Sequence, residues 1–170
     1  MYKVSRASVY LLILLGVIIN LTLMRHIRMY GPSPDILVML VVFYGLFLGQ
    51  GRGLEAGIFA GVLQDIFALD FFGVNTFILA LIGFLAGCVN AKIYRESLPT
   101  QILAVSGFNV IAMLSHYFIV SFLSGSIALN ISEHFITSII PSTIYTALLS
   151  IPVFAKLIRV YNLGQREDFL

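Results

Sequence analysis

Apolar runs, broken by short clusters of Gly, Pro and charge, divide the chain into six candidate helices. They fall at about residues 7–24, 36–49, 54–69, 74–91, 100–123 and 135–158. The breaker Gly31-Pro32-Ser33-Pro34 parts the first from the second. The second and third are short for a hydrocarbon core of about 30 Å at about 1.5 Å per residue. They therefore tilt little, stay inside the bundle, or are joined by a re-entrant turn at Gln50-Gly51-Arg52-Gly53. Pro141 and Pro152 lie within the sixth run and predict a kink, because proline removes a helical hydrogen bond. Residues 97–132 carry no Lys, Arg, Asp or Glu, too long a run for one span, so 124–132 is expected to form an external loop against the membrane.

Composition turns these runs into a membrane reading. Of 170 residues, 59% are hydrophobic and only 11% charged, with mean hydropathy +1.00. A soluble domain carries about 25% charged residues. This chain lacks the polar groups to cover itself in water, so most of its surface faces lipid. The fold class expected is an all-α integral membrane protein, one six-helix bundle over residues 1–170. The first run exceeds a signal-peptide core and is read as a retained helix. With the N-terminus inside, Lys3, Arg6, Arg52, Lys92, Arg95, Lys156, Arg159 and Arg166 fall on the cytoplasmic side, and only Arg25 and Arg28 outside. Basic residues favour the cytoplasmic side, so both termini are placed there.

A net charge of +2 gives no reason to expect nucleic-acid binding. The single cysteine, Cys88, excludes an internal disulfide and a cysteine-built metal site. No HExxH pair, phosphate loop or GxSxG elbow is present. The acids are also too scattered to chelate magnesium for lipid-phosphate transfer. No catalytic residue, metal or cofactor is expected.

Two features carry the candidate chemistry. One is a set of small residues, Gly57-xxx-Gly61 with Ala56-xxx-Ala60 on the third helix, Gly83-xxx-Gly87 on the fourth and Gly45-xxx-Gly49 on the second. Such spacing lets two backbones approach closely, either within the bundle or as a groove for a partner helix. The other is Asp65, an acid in an otherwise apolar stretch. Ionisable groups inside membrane helices avoid lipid and mark partners, cavities or relays. Gly61 lies about 40° around the helix from Asp65, so the acid shares the close-packing face, with the Gln64 amide beside it. Asp65 is a structural hydrogen-bond acceptor, a binding site, or part of a proton relay; relays usually come as chains of acids. In the topology above, Asp65 and His116 lie in the outer halves of their helices, and Asp70, Asn75, Glu133 and His134 near the outer ends. With Ser115 and Tyr117 flanking His116, this set is placed to line an outward-opening polar pocket.

The stretch Gly57-Ile-Phe-Ala-Gly61-Val-Leu-Gln64-Asp65-Ile, then Phe72-Gly73-Val74-Asn75, then Leu81-Ile-Gly83-Phe-Leu-Ala-Gly87 resembles the bacterial MreD family. The resemblance covers about a fifth of the chain by motif, and the rest by hydropathy alone. It implies an inner-membrane, non-enzymatic component of the side-wall elongation machinery. That component binds MreC and is linked through it to MreB, RodA and a penicillin-binding transpeptidase. It also implies a fold similar to the S-components of energy-coupling-factor vitamin transporters. The motif falls on Gly57, Gly61, Gln64, Asp65, Gly73 and Asn75. The alternative is a substrate-binding membrane subunit of a small-molecule transporter, with a lipid or lipid-linked precursor site in the same cavity as a third reading.

Overall fold

Six helices, and no strand, make up the residues that the computed structural model describes: 6–27, 33–68, 71–89, 97–125 and 135–161. They are α1 (Arg6–Ile27), α2 (Ile36–Leu48), α3 (Gln50–Phe67), α4 (Val74–Val89), α5 (Leu98–Leu123) and α6 (Ile140–Val160). A π-helical turn, Phe135–Ile139, leads into α6. The expected external loop at 124–132 lies outside the described residues beyond Gly125, as do Asp70, Glu133 and His134.

The helix ends depart from expectation where backbone chemistry intervenes. The proposed re-entrant turn at residues 50–53 is instead the first turn of α3. The chain reverses on Gly49 alone, whose φ of 90° suits a residue without a side chain. Its N–H still closes α2 by donating to the Gly45 carbonyl. Pro141 sits in the first turn of α6, where a missing N–H costs least, and the wider π turn precedes it. The helix runs on through Pro152 to Val160.

Helix α2 is the axis of the bundle. Every residue from Ile36 to Phe47 is buried, and α2 touches each of the other five helices. Its 13 residues span about 20 Å, and the surrounding helices shield this short rod from lipid. The outer surface is the apolar one, with Leu103 77% and Phe122 86% exposed on α5. Two stretches, Leu98–Leu123 and Ile136–Val160, are by themselves long and apolar enough to cross a bilayer.

The interior is more polar than the exterior along α5 and α6. The buried face of α5 carries Gln101 and Asn109 beside Val105 and Ala112. The buried face of α6 carries Ser142, Thr146 and Ser150, each four residues from the next. Asn109 donates from Nδ2 to Thr143 Oγ1 at 3.0 Å, which pins α5 to α6. Ser142 donates to the Ser33 carbonyl at 2.9 Å, and Thr146 Oγ1 accepts the Asp35 N–H at 2.9 Å, which pins α6 to the start of α2. Thr146→Val keeps the shape and removes that acceptor. It is expected to cost about 1 kcal/mol, a typical interhelical hydrogen bond in a membrane, read as a lower Tm of the detergent-purified protein.

Candidate functional site

Asp65, Gly73 and Asn75 of the motif meet at one joint, where α3 ends and α4 begins. Gly73, just before α4, has φ +98° and no side chain with which to cap the helix. Helix N-termini leave backbone N–H groups without partners, and hydrocarbon offers no water in exchange. Asp65 supplies the cap from the neighbouring helix. Its Oδ1 accepts the Asn75 N–H and Nδ2, both at 3.0 Å. Its Oδ2 accepts the Thr76 N–H at 2.9 Å and the Thr76 hydroxyl. Both oxygens are occupied, and the residue is 3% exposed. The same carboxylate lies at the positive end of the α4 dipole, which favours its charge. Gln64 is half-buried and takes no part in this joint.

The glycines bring α3 and α4 close enough for that cap to form. A Cβ on Gly61 would stand 2.3 Å from Thr76 Cα, one on Gly57 2.2 Å from the Leu79 carbonyl oxygen, and one on Gly87 2.3 Å from Gln50 Cα. A Cβ on Gly83 would reach 2.0 Å from the Gly53 oxygen, and Gly45 of α2 closes on the same point. As numbers rise along α3 they fall along α4, so the two helices are antiparallel with backbones in contact. Gly57, Gly61, Gly83 and Gly87 are therefore covered by their own chain. As a groove for a partner helix they have no room, and the docking alternative for this stripe is corrected to internal packing.

Of the set expected to line an outward polar pocket, Asp70, Glu133 and His134 lie outside the described residues. Asp65 is bonded to Asn75, and among the described residues α3 does not pack against α5. His116 acts electrostatically on Asp35 instead. Asp35 caps α2, its Oδ1 accepting the N–H groups of Leu37 and Val38 at 3.1 Å each. An apolar groove of about 400 Å³ runs between α4 and α5, walled by Phe77, Leu81, Ile111 and Phe118. Ser115 lies in its lining, and Gln64, Asp65, Asn75 and His116 do not.

Sequence reasoning missed Thr76, Asp35 and the Ser142, Thr146, Ser150 face. Each had a signal. Asp35 directly precedes an apolar run, as an N-cap does. The three hydroxyl residues repeat every four positions, which places them on one helical face. Thr76 had only its place beside Asn75.

Among the described residues, an all-helical bundle with an apolar exterior and a glycine-fused helix pair is the architecture of a membrane protein. Among the described residues no three His, Cys, Asp or Glu side chains gather as a metal site. A family model described as rod shape-determining protein MreD matches residues 2–162, so the chain belongs to the MreD family. That membership carries a role in rod-shape determination, in a family of shape-determining proteins rather than known enzymes. No curated protein and no solved structure matches the chain.

Proposed function

We propose that this protein is a non-catalytic scaffold of the bacterial inner membrane, with six spans and both termini in the cytoplasm. It binds MreC and so supports side-wall peptidoglycan synthesis by a complex that includes MreB, RodA and a penicillin-binding transpeptidase. The supporting observation is the occupied Asp65 carboxylate. A relay or catalytic acid needs an open oxygen, whereas all four bonds here go to the first turn of α4. The acid of the motif is architectural, as a scaffold requires. The transporter reading draws no support from this arrangement, because Asp65 and Asn75 are spent on each other and the groove between α4 and α5 is apolar.

With the glycine stripe covered, a partner helix meets the outer surface. The α4–α5 groove is the proposed seat for the membrane span of MreC, since a rod-like apolar partner gains most where a trough already exists. Gly61→Leu would not test this, because it disrupts the α3–α4 contact first. Filling the groove with Leu81→Trp and Ile111→Trp is the better test. Recovery of MreC with the purified chain is expected to fall several-fold, while Leu14→Trp on the exposed face of α1 leaves it unchanged. Equal recovery from all three would remove the groove from the interface.

A further inference from the structure

Helices α1, α2, α3, α4 and α6 are level at one end of the bundle and stepped at the other. At the level end α1 and α3 start side by side, with the Tyr10 hydroxyl on Glu55 and the Tyr10 ring 4.7 Å from the Phe59 ring. Gly87, near the end of α4, closes on Gln50, the first residue of α3. Tyr44, one turn from the end of α2, meets Tyr161, just past the end of α6. Towards the Asp65 joint the lengths diverge. From the Tyr10–Phe59 contact α1 runs on for about 26 Å to Ile27, but α3 for only about 12 Å to Phe67. Helix α4 starts where α3 ends, and α2 starts level with α4. A Cβ on Gly45 would lie 2.7 Å from the Gly83 carbonyl oxygen, and nine residues separate each of these glycines from its helix start, Ile36 or Val74. Helix α6 passes that level at Thr146, which accepts the Asp35 N–H, and with its π turn reaches about 15 Å further, to Phe135.

The step gives the bundle apolar surfaces of unequal height. On the short side α3 exposes Leu54, Ile58, Ile66 and Phe67, about 20 Å from first to last. Beyond them stands the turn into α4, with Phe71 and Phe72 exposed. On the tall side α5 carries no charged residue and exposes apolar side chains from Leu98 to Leu123, about 38 Å. A hydrocarbon core is about 30 Å thick, so one flat bilayer does not match both. The turn decides which way the bilayer gives. Irregular backbone facing lipid does not stay within hydrocarbon, so the polar boundary has to come down to the turn. We infer that α3 and the outer face of α4 hold a collar of thinned bilayer, made of lipids with short or compressed chains, while α5 sits in bilayer of full thickness. Bilayers yield to short apolar surfaces in this way at a modest cost per ångström. The inference rests on the membrane-spanning bundle proposed above, but not on its orientation or on MreC.

The chain has no tryptophan, so a single introduced one reports on one face. Ile58→Trp lies midway along α3 and Leu103→Trp on α5, both at exposed positions. Each full-length variant is reconstituted in brominated dioleoyl phosphatidylcholine, which quenches tryptophan. Unbrominated dimyristoleoyl or dierucoyl phosphatidylcholine is added as the short-chain or long-chain competitor. In Ile58→Trp the short-chain lipid is expected to relieve quenching better than the long-chain one, by about twofold in relative affinity, since mismatch costs are modest. In Leu103→Trp that preference is expected to vanish or reverse. Equal competition by the two lipids in Ile58→Trp would overturn the collar. The same short-chain preference in both variants would also overturn it, because tilt of α5 would then have levelled the two sides. No quenching in either variant would overturn the spanning bundle itself. Phe84→Trp on α4, one exposed aromatic for another, reads the short side if Ile58→Trp does not fold.

Discussion

Asp65→Leu is expected to lower stability by about 3–5 kcal/mol, the range for removing one partner from a buried charged network. The change leaves the Asn75 and Thr76 N–H groups without acceptors at a helix start closed to water. Asp65→Asn is expected to fall between, at about 1–3 kcal/mol. Each oxygen now receives one backbone N–H, so whichever becomes an amide nitrogen faces a donor that cannot turn away. Thermal unfolding of the purified protein followed by size exclusion ranks the three chains, and cell shape should follow the same order. An Asp65→Asn protein as stable as the natural one would show that a single oxygen holds the joint, against the bonding described above.

Gly83→Ala is the second large effect. The added methyl would lie 2.0 Å from the Gly53 oxygen and 2.6 Å from its carbonyl carbon. Both are backbone atoms, and a methyl has no rotamer with which to avoid them. Helices α3 and α4 must part, at a cost of about 3 kcal/mol, the upper end for overpacking, and the Asp65 cap is stretched with them. Gly107→Ala is the matched control. A Cβ there meets nothing within 4 Å. The same substitution should raise stability by up to about 1 kcal/mol through helix propensity. Opposite signs of Tm shift in the two variants are expected. A drop of similar size in both would mean that the close approach of α3 and α4 is not what requires glycine at position 83.

How far these features could be read in advance follows from what a periodic pattern encodes. Apolar runs located all six helices, because hydrocarbon and a packed interior both exclude polar residues. The pattern also showed that Asp65 shares a face with Gly61. It did not say which helix occupies that face, since close backbone approach looks the same whether the neighbour is α4 or another protein. Depth has a related limit: equal depth in the membrane is not proximity, and among the described residues α3 does not pack against α5. The hydroxyl face of α6 escaped notice because Ser and Thr break no apolar run. Their role appears only once Asp35 and Ser33 are placed against them.

The Asp65 joint also bears on the order of assembly. The carboxylate and the groups it receives are separated by only ten and eleven residues. Loops of this length close within about 10–100 ns, far faster than a ribosome adds about 5–20 residues per second. Once α4 has followed α3 into the bilayer, the acid can find its partners without waiting for any later helix. Its charge is then sheltered before α5 and α6 are made. Those two arrive at a surface already formed by α2 and α4, so the most vulnerable residue of the chain is secured by its nearest neighbours in synthesis.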